Sequence, residues 1–143
     1  MLKGINPVLS PELVKILMEM GHGDEIVISD GNFPGASMAQ RLVRADGHGG
    51  AEILDAILTH FPLDTYSEYQ VALMEVVPGD PYVPEIWEDY KKIIFKHDSD
   101  AKIEHMERFS YYERAKKAYA VVQTGEMAKY ANVILKKGVV VPE

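Results

Sequence analysis

Cysteine is absent from this chain of 143 residues, which excludes disulfide bonds, thiolate zinc sites and a cysteine nucleophile. The chain also lacks any apolar run of the roughly 20 residues that a membrane span needs. Its first seven residues lack the apolar core of a signal peptide. Because missing cysteine fits a reducing compartment, these absences together favour a cytoplasmic protein.

Long basic runs are missing as well. The 15 Lys and Arg residues are dispersed, and the formal net charge is −7. A net acidic chain gains little from releasing counterions on nucleic acid. We therefore expect neither nucleic acid nor a membrane as a partner.

Apolar residues make up 47 % of the chain, which is enough for a hydrophobic core. A chain of this length buries roughly two-thirds of its unfolded surface without crosslinks. Helix and strand patterns alternate from one end to the other, which is typical of α/β proteins. We predict a single α/β domain over residues 1–143, with three α/β/α layers and a largely parallel or mixed sheet of about six strands.

Local signals place the individual elements. Ser10 can cap a helix that has Pro11 at its first position. Asp30 follows a buried strand, and ligands in α/β sheets bind beyond the carboxyl ends of parallel strands. The patterns predict helices over residues 11–20, 37–42, 51–59, 84–95 and 110–117, and strands over residues 25–29, 71–76, 103–108, 118–123 and 132–135.

His22 lies between two glycines, where the first helix meets the first strand. The glycines leave space beside the imidazole, and a nearby carboxylate, Asp24 or Asp30, can fix the tautomer of the ring. Histidine suits proton transfer near neutral pH. The spacing also fits a solvent-exposed loop histidine, and taken alone it favours that interpretation.

Motifs for a metal, a nucleotide or a serine nucleophile are missing. The five histidines are scattered, and no pair has the helical spacing of a zinc site. The Gly-rich turn over residues 47–50 lacks the phosphate-loop and dinucleotide patterns, and no Gly-x-Ser-x-Gly elbow is present. We expect no metal and no cofactor.

The last third of the chain combines aromatic, basic and amide side chains. Residues 108–114 include three aromatics and two arginines, and residues 130–132 (Tyr-Ala-Asn) precede the last predicted strand. Aromatic faces pack on sugar C–H groups, while Arg, Asn and Asp bind hydroxyls. The alternative is structural, with half-buried tyrosines and Arg108 paired to Glu104 or Glu107.

Nine short stretches carry further information, including MGHGDEI around His22 and YYERAKKA soon after Arg108. They occur in a fixed order and span nearly the whole chain. Together they resemble the fucose mutarotase family, which is related to the ribose pyranases. The matching stretches are residues 9–13, 20–26, 32–34, 44–47, 62–66, 108–109, 111–118, 124–126 and 135–139.

The resemblance implies an isomerase that interconverts the α and β anomers of a free sugar, with L-fucose as the expected substrate and no cofactor. It also implies an α/β fold and a ring-shaped homo-oligomer, such as a decamer, with sites near subunit interfaces. By resemblance, His22 is the catalytic histidine. The residues that would bind the sugar are Asp30, Arg108, Tyr130, Ala131 and Asn132.

Ala131 departs from the family pattern, which often has glycine at this position. If the backbone needs a positive φ there, alanine is strained. If the glycine only provides room, the added methyl narrows the sugar pocket. The departure therefore bears on the identity of the sugar and not on the reaction.

Other functions stay open on the sequence. One is a mutarotase or pyranase for another monosaccharide, such as ribose. A second, from a different class, is a sugar-binding module without turnover. A third is a nucleotide-dependent sugar enzyme, which the missing phosphate-loop pattern disfavours.

Overall fold

Side chains along the first strand alternate between two separate cores. In the computed structural model, which describes residues 1–143, Ile26 and Ile28 pack in a larger core and Val27 packs in a smaller one. Successive strand residues point to opposite faces of a sheet. Helices therefore cover both faces, which confirms the three-layer α/β/α prediction.

Five helices and six strands follow one another along the chain. The helices are α1 (Pro11–Glu19), α2 (Gly35–Met38), α3 (Gly50–Leu58), α4 (Ile86–His97) and α5 (Arg108–Lys117). The strands are β1 (Glu25–Ser29), β2 (Leu42–Ala45), β3 (Val71–Met74), β4 (Ile103–Met106), β5 (Ala120–Thr124) and β6 (Val133–Lys136).

The six strands form one mixed sheet in the order β2-β5-β1-β6-β3-β4. Strand β6 runs antiparallel to both of its neighbours, β1 and β3, and every other neighbouring pair is parallel. Five strands therefore share one carboxyl edge. The amino end of β6 lies at that same edge, so the loops that follow β1, β3 and β4 meet the segment that precedes β6.

The larger core lies between the sheet and α1, α3 and α4, whereas α5 and Phe33 cover the other face. Helix α1 begins as predicted, because Ser10 Oγ accepts the Leu13 N–H at 3.1 Å and Pro11 takes the first position. None of the helices is long and apolar enough to cross a membrane.

The strand predicted over residues 103–108 ends early, at Met106. Glu107 caps α5, since its carboxylate accepts two backbone N–H groups of the first turn at 2.9 and 3.0 Å. Arg108 is therefore the first residue of a helix. Capping by a side-chain oxygen competes with strand extension at such a junction.

The helix predicted over residues 37–42 is wrong at its end. Helix α2 stops at Met38, and Leu42 begins β2 at the edge of the sheet. Only Val43 of β2 is buried, so this strand lacks the alternating apolar pattern that reveals a strand in the sequence. The other predicted elements are confirmed to within two residues at each end.

Candidate active site

A shallow pocket of about 230 Å³ opens at the carboxyl edge of the parallel strands. Ligands collect at this edge in α/β sheets, which makes the pocket the candidate site. Four of the predicted sugar-binding residues line it, together with apolar side chains. They are Asp30, Arg108, Tyr130 and Asn132, with Phe33 and Met74 beside them.

Asp30 is buried where β1 ends, with only 4 % of its surface exposed. Its N–H donates to Asn132 Oδ1 at 2.8 Å, and its own Oδ1 accepts the Asn32 N–H at 3.0 Å. The nearby backbone N–H groups of Ala131 and Phe33 also favour the ionised form of this carboxyl group and lower its pKa. Burial still raises the pKa of Asp30, because these donors offset only part of the desolvation.

The segment before β6 contains a strained residue. Tyr130 has a φ of 59° and is the only non-glycine residue with a positive φ. The methyl of Ala131, by contrast, lies in the larger core, and its carbonyl accepts the Tyr90 hydroxyl at 3.1 Å. Ala131 is therefore not the residue with the positive φ, and its methyl does not line the pocket. Neither backbone strain at Ala131 nor a pocket narrowed by its methyl is found.

Arg108 reaches the pocket from the first turn of α5. Its Nε donates to the Tyr112 hydroxyl at 3.2 Å, and its guanidinium lies over the rings of Phe109 and Tyr112. It forms no ion pair with Glu104 or Glu107, since Glu107 caps the helix and Glu104 binds a different arginine. Its remaining N–H groups have no partner in the chain and can bind a ligand.

His22 lies at the opposite edge of the sheet, just before β1. Its Nε2 is 2.9 Å from Asp64 Oδ1, its ring packs 5.2 Å from the Tyr66 ring, and 45 % of its side chain is exposed. Asp24, one of the two candidate partners, instead accepts the Gly21 N–H at 2.7 Å. The carboxylate that orients the imidazole is therefore Asp64, and not Asp24.

Asp64 sits in a buried hydrogen-bond network. Ser67 Oγ donates to Asp64 Oδ2 at 2.5 Å, and the Tyr66 N–H donates to Oδ1 at 3.1 Å. The Ser67 hydroxyl, followed by His22, lowers the pKa of Asp64 to about 2. The signal that could have identified Asp64 is its position three residues before Ser67, since aspartates in turns accept bonds from residues two and three positions later.

Strand β1 separates His22 from Asp30. Its five residues span about 16 Å at roughly 3.3 Å each. A catalytic group must come within about 3 Å of the proton that it moves. One copy of the chain therefore does not bring its own His22 to its own pocket. In addition, no group of three His, Asp or Glu side chains is placed to hold a metal ion.

The fold and the pocket define an α/β protein with a candidate small-molecule site at the carboxyl edge of its sheet. Comparison with known families makes the assignment specific. The profile of the RbsD / FucU transport protein family matches residues 3–140. The chain belongs to this family.

Individual relatives are similar over nearly the whole chain. The L-fucose mutarotase of Actinobacillus pleuropneumoniae serotype 5b (strain L20) is 54 % identical over 140 residues, 97 % of each chain. The fucose mutarotase of Streptococcus pneumoniae, solved in complex with L-fucose, is 52 % identical with a TM-score of 0.94 and covers 98 % of this chain and 100 % of its own. FucU from Bifidobacterium longum is 55 % identical with a TM-score of 0.95, and the match covers 97 % of this chain and 100 % of the FucU chain.

Proposed function

We propose that this chain is an L-fucose mutarotase, an isomerase that interconverts the α and β anomers of L-fucose by acid–base ring opening and closure. The observation that carries the proposal is the convergence of Asp30, Arg108, Tyr130 and Asn132 on one pocket, although three separate parts of the chain supply them. The similarity to a fucose mutarotase solved with L-fucose supports the same sugar.

The pocket suits a single monosaccharide. Its volume of about 230 Å³ lies below the roughly 300 Å³ at which pockets for drug-sized ligands begin. Asp30 and Arg108 can bind sugar hydroxyls, while Phe33 and Met74 offer an apolar wall for C–H groups. L-Fucose carries both kinds of group, because it has a methyl as well as several hydroxyls.

Mutarotation needs two proton transfers. One proton leaves the anomeric hydroxyl, and another reaches the ring oxygen as the ring C–O bond breaks. Closure on the other carbonyl face reverses both steps. We assign the acid–base role to His22, with Asp64 orienting the imidazole. A single acid–base residue accelerates a reaction by about 10²–10⁴-fold. This is sufficient for a sugar that already mutarotates slowly without a catalyst.

The acid–base group and the pocket belong to different copies of the chain in this proposal. His22 and Asp30 lie at opposite ends of β1, so the His22 edge of one copy must meet the pocket edge of another. Such a contact joins two different surfaces, and repeating it with rotation closes a ring. The proposed assembly is therefore a ring-shaped homo-oligomer, with a decamer as the expected size.

Exposed apolar side chains at both edges support this assembly. Tyr66, whose ring packs against His22, is largely exposed, and so is Phe109, which contacts the pocket residue Arg108. Large apolar side chains that are grouped on a surface mark sites of association. Light scattering on the purified protein measures the number of copies, and a monomer would contradict the composite site.

Saturation-transfer NMR of reducing sugars tests the function. We expect the protein to accelerate anomer exchange of L-fucose more than that of D-ribose. His22→Ala should lower the acceleration by about 10²–10⁴-fold, whereas His60→Ala, at an exposed histidine without a side-chain hydrogen bond, should leave it unchanged.

Three outcomes would contradict parts of the proposal. Sugar binding without faster exchange would indicate a binding module, and preference for D-ribose would change the substrate. Unchanged exchange in a folded His22→Ala variant would exclude His22 as the acid–base residue. The proposal also includes the cytoplasmic location, which cell fractionation tests.

A further inference from the structure

Tyr130 is held from several directions at once. Its strained backbone is fixed by the Trp87 indole, whose Nε1–H donates to the Tyr130 carbonyl at 2.8 Å. Its ring stacks on Tyr82 with the centroids 6.0 Å apart. A left-handed non-glycine residue persists only where its surroundings impose it, and such residues concentrate at functional sites.

The Tyr130 hydroxyl has two hydrogen bonds inside the protein. It donates its proton to Asp80 Oδ2 at 2.7 Å, and it accepts the Val77 N–H at 3.4 Å. A phenol offers one donor and two acceptor positions. The donor is therefore used by Asp80 and one acceptor position by Val77, which leaves one lone pair for the pocket that Tyr130 lines.

Asp80 itself lies outside the lining of the pocket. Its Oδ1 accepts the Tyr82 N–H at 2.9 Å, in a turn that fixes the carboxylate, and its Oδ2 faces Tyr130. Both of its oxygens are therefore occupied, and its contact with the pocket runs through the phenol.

We propose that Asp80 is a positioning residue for the mutarotase site: it holds the Tyr130 proton away from the pocket, so that the phenol oxygen accepts a hydrogen bond from a sugar hydroxyl. This inference rests on the proposed function and deepens it. It means that Tyr130 binds a hydroxyl that donates, and not a carbonyl or ring oxygen that needs a donor.

The charges around the pair maintain this arrangement. The hydrogen bond to Tyr130 lowers the pKa of Asp80, and the same bond raises the pKa of Tyr130. The charge of Lys129 also lowers the pKa of Asp80. The charge of Arg108 lowers the pKa of Tyr130, against the larger effect of Asp80. The pair therefore stays as a neutral phenol that donates to a carboxylate under assay conditions near neutral pH.

A double-mutant cycle measures the coupling between the two residues, with kcat and KM for L-fucose anomer exchange as the readouts. Asp80→Ala should lower kcat/KM about tenfold to a hundredfold, the usual effect of losing a hydrogen bond to a charged group. In a Tyr130→Phe background the same substitution should cause no further loss. Asp80→Asn should cause a similar loss, because its one amide oxygen is needed by the fixed Tyr82 N–H, and the NH₂ group that then faces Tyr130 cannot accept the phenol proton.

Asp98→Ala is the matched control. Asp98 Oδ1 accepts the N–H two residues later at 3.0 Å, as Asp80 does, but it lies in an exposed turn after α4. The Asp98→Ala substitution should leave kcat/KM unchanged. Thermal melting shows whether each variant is folded, and if Asp80→Ala is unfolded, Asp80→Asn takes its place in the cycle.

Two results would overturn the inference. One is wild-type kcat/KM in folded Asp80→Ala. The other is an equal loss from the Asp80 substitution with and without the Tyr130 hydroxyl, since a merely structural role acts in both backgrounds. Absence of L-fucose exchange in the wild-type protein would instead contradict the proposed function itself.

Discussion

The two halves of the proposed site can be inactivated separately, which allows a direct test of whether they belong to different copies. His22→Ala removes the acid–base group, and Asp30→Asn removes a buried carboxylate with almost no change in shape. His22 is half exposed, and Asp64 keeps its bonds from Ser67 and Tyr66 when the imidazole is removed. Both variants should therefore fold and assemble.

The expected magnitudes follow from the geometry. Alone, His22→Ala should lose about 10²–10⁴-fold in exchange rate, and Asp30→Asn about tenfold to a hundredfold, as for a lost charged hydrogen bond. In rings assembled at random from equal amounts of both, about one quarter of the contacts join an intact His22 to an intact pocket. Activity should therefore return to about a quarter of the wild-type value.

The assay is saturation-transfer NMR with L-fucose on rings formed by unfolding and refolding the two variants together. Each variant refolded alone, and wild-type protein treated in the same way, are the controls. If each chain used its own His22, every pocket in the mixed ring would stay defective. If the mixed rings are no more active than the average of the two variants, the inference that His22 and the pocket of one site come from different copies is refuted.

Further predictions concern the histidine partner, acid stability and one crowded glycine. Asp64→Asn should lower kcat about tenfold to a hundredfold, because His22 loses a charged hydrogen bond. Asp24→Asn should change the exchange rate measured by NMR less than about twofold. Equal effects of the two substitutions would contradict Asp64 as the partner of His22. Folding lowers the pKa of Asp64 to about 2 from an unfolded value of roughly 3.9. The ionised carboxylate therefore stabilises the folded protein fully above about pH 3.9, and this contribution is lost as the pH falls through about 2. In urea unfolding, the free energies of wild type and Asp64→Asn should approach each other between these two pH values. Gly125→Ala should lower the melting temperature by about 5 °C or more, since the new Cβ would overlap a backbone carbonyl oxygen, while Gly47→Ala meets nothing within 4 Å and should melt like wild type.

Local sequence signals predicted most of the elements because their causes lie within a few residues. Ser10 and Pro11 start α1 through one side-chain bond and one fixed φ. The apolar run of β1 and the position of Asp30 after it likewise follow from neighbouring residues. Strand β2 escaped prediction, since an edge strand with one buried residue has almost no local pattern.

The candidate pocket was only partly predictable. Asp30, Arg108 and the segment before β6 were named from strand ends, side-chain chemistry and family resemblance. Their convergence depends on β6 running antiparallel beside β1, which brings Asn132 to Asp30 across 102 positions of sequence. Asp80 gave no signal, because its importance comes only from the phenol that it contacts.

The sequence by itself determined the α/β class and the family, and it led to the prediction that His22 is catalytic, because periodicity, capping and ordered motifs are properties of short stretches. Only the tertiary structure decided which carboxylate serves His22, and it chose Asp64, 42 positions away, over Asp24, two positions away. It also placed His22 and the pocket at opposite ends of β1. Strand order and direction are decided by burial summed over the whole chain, and no local stretch of sequence contains that sum.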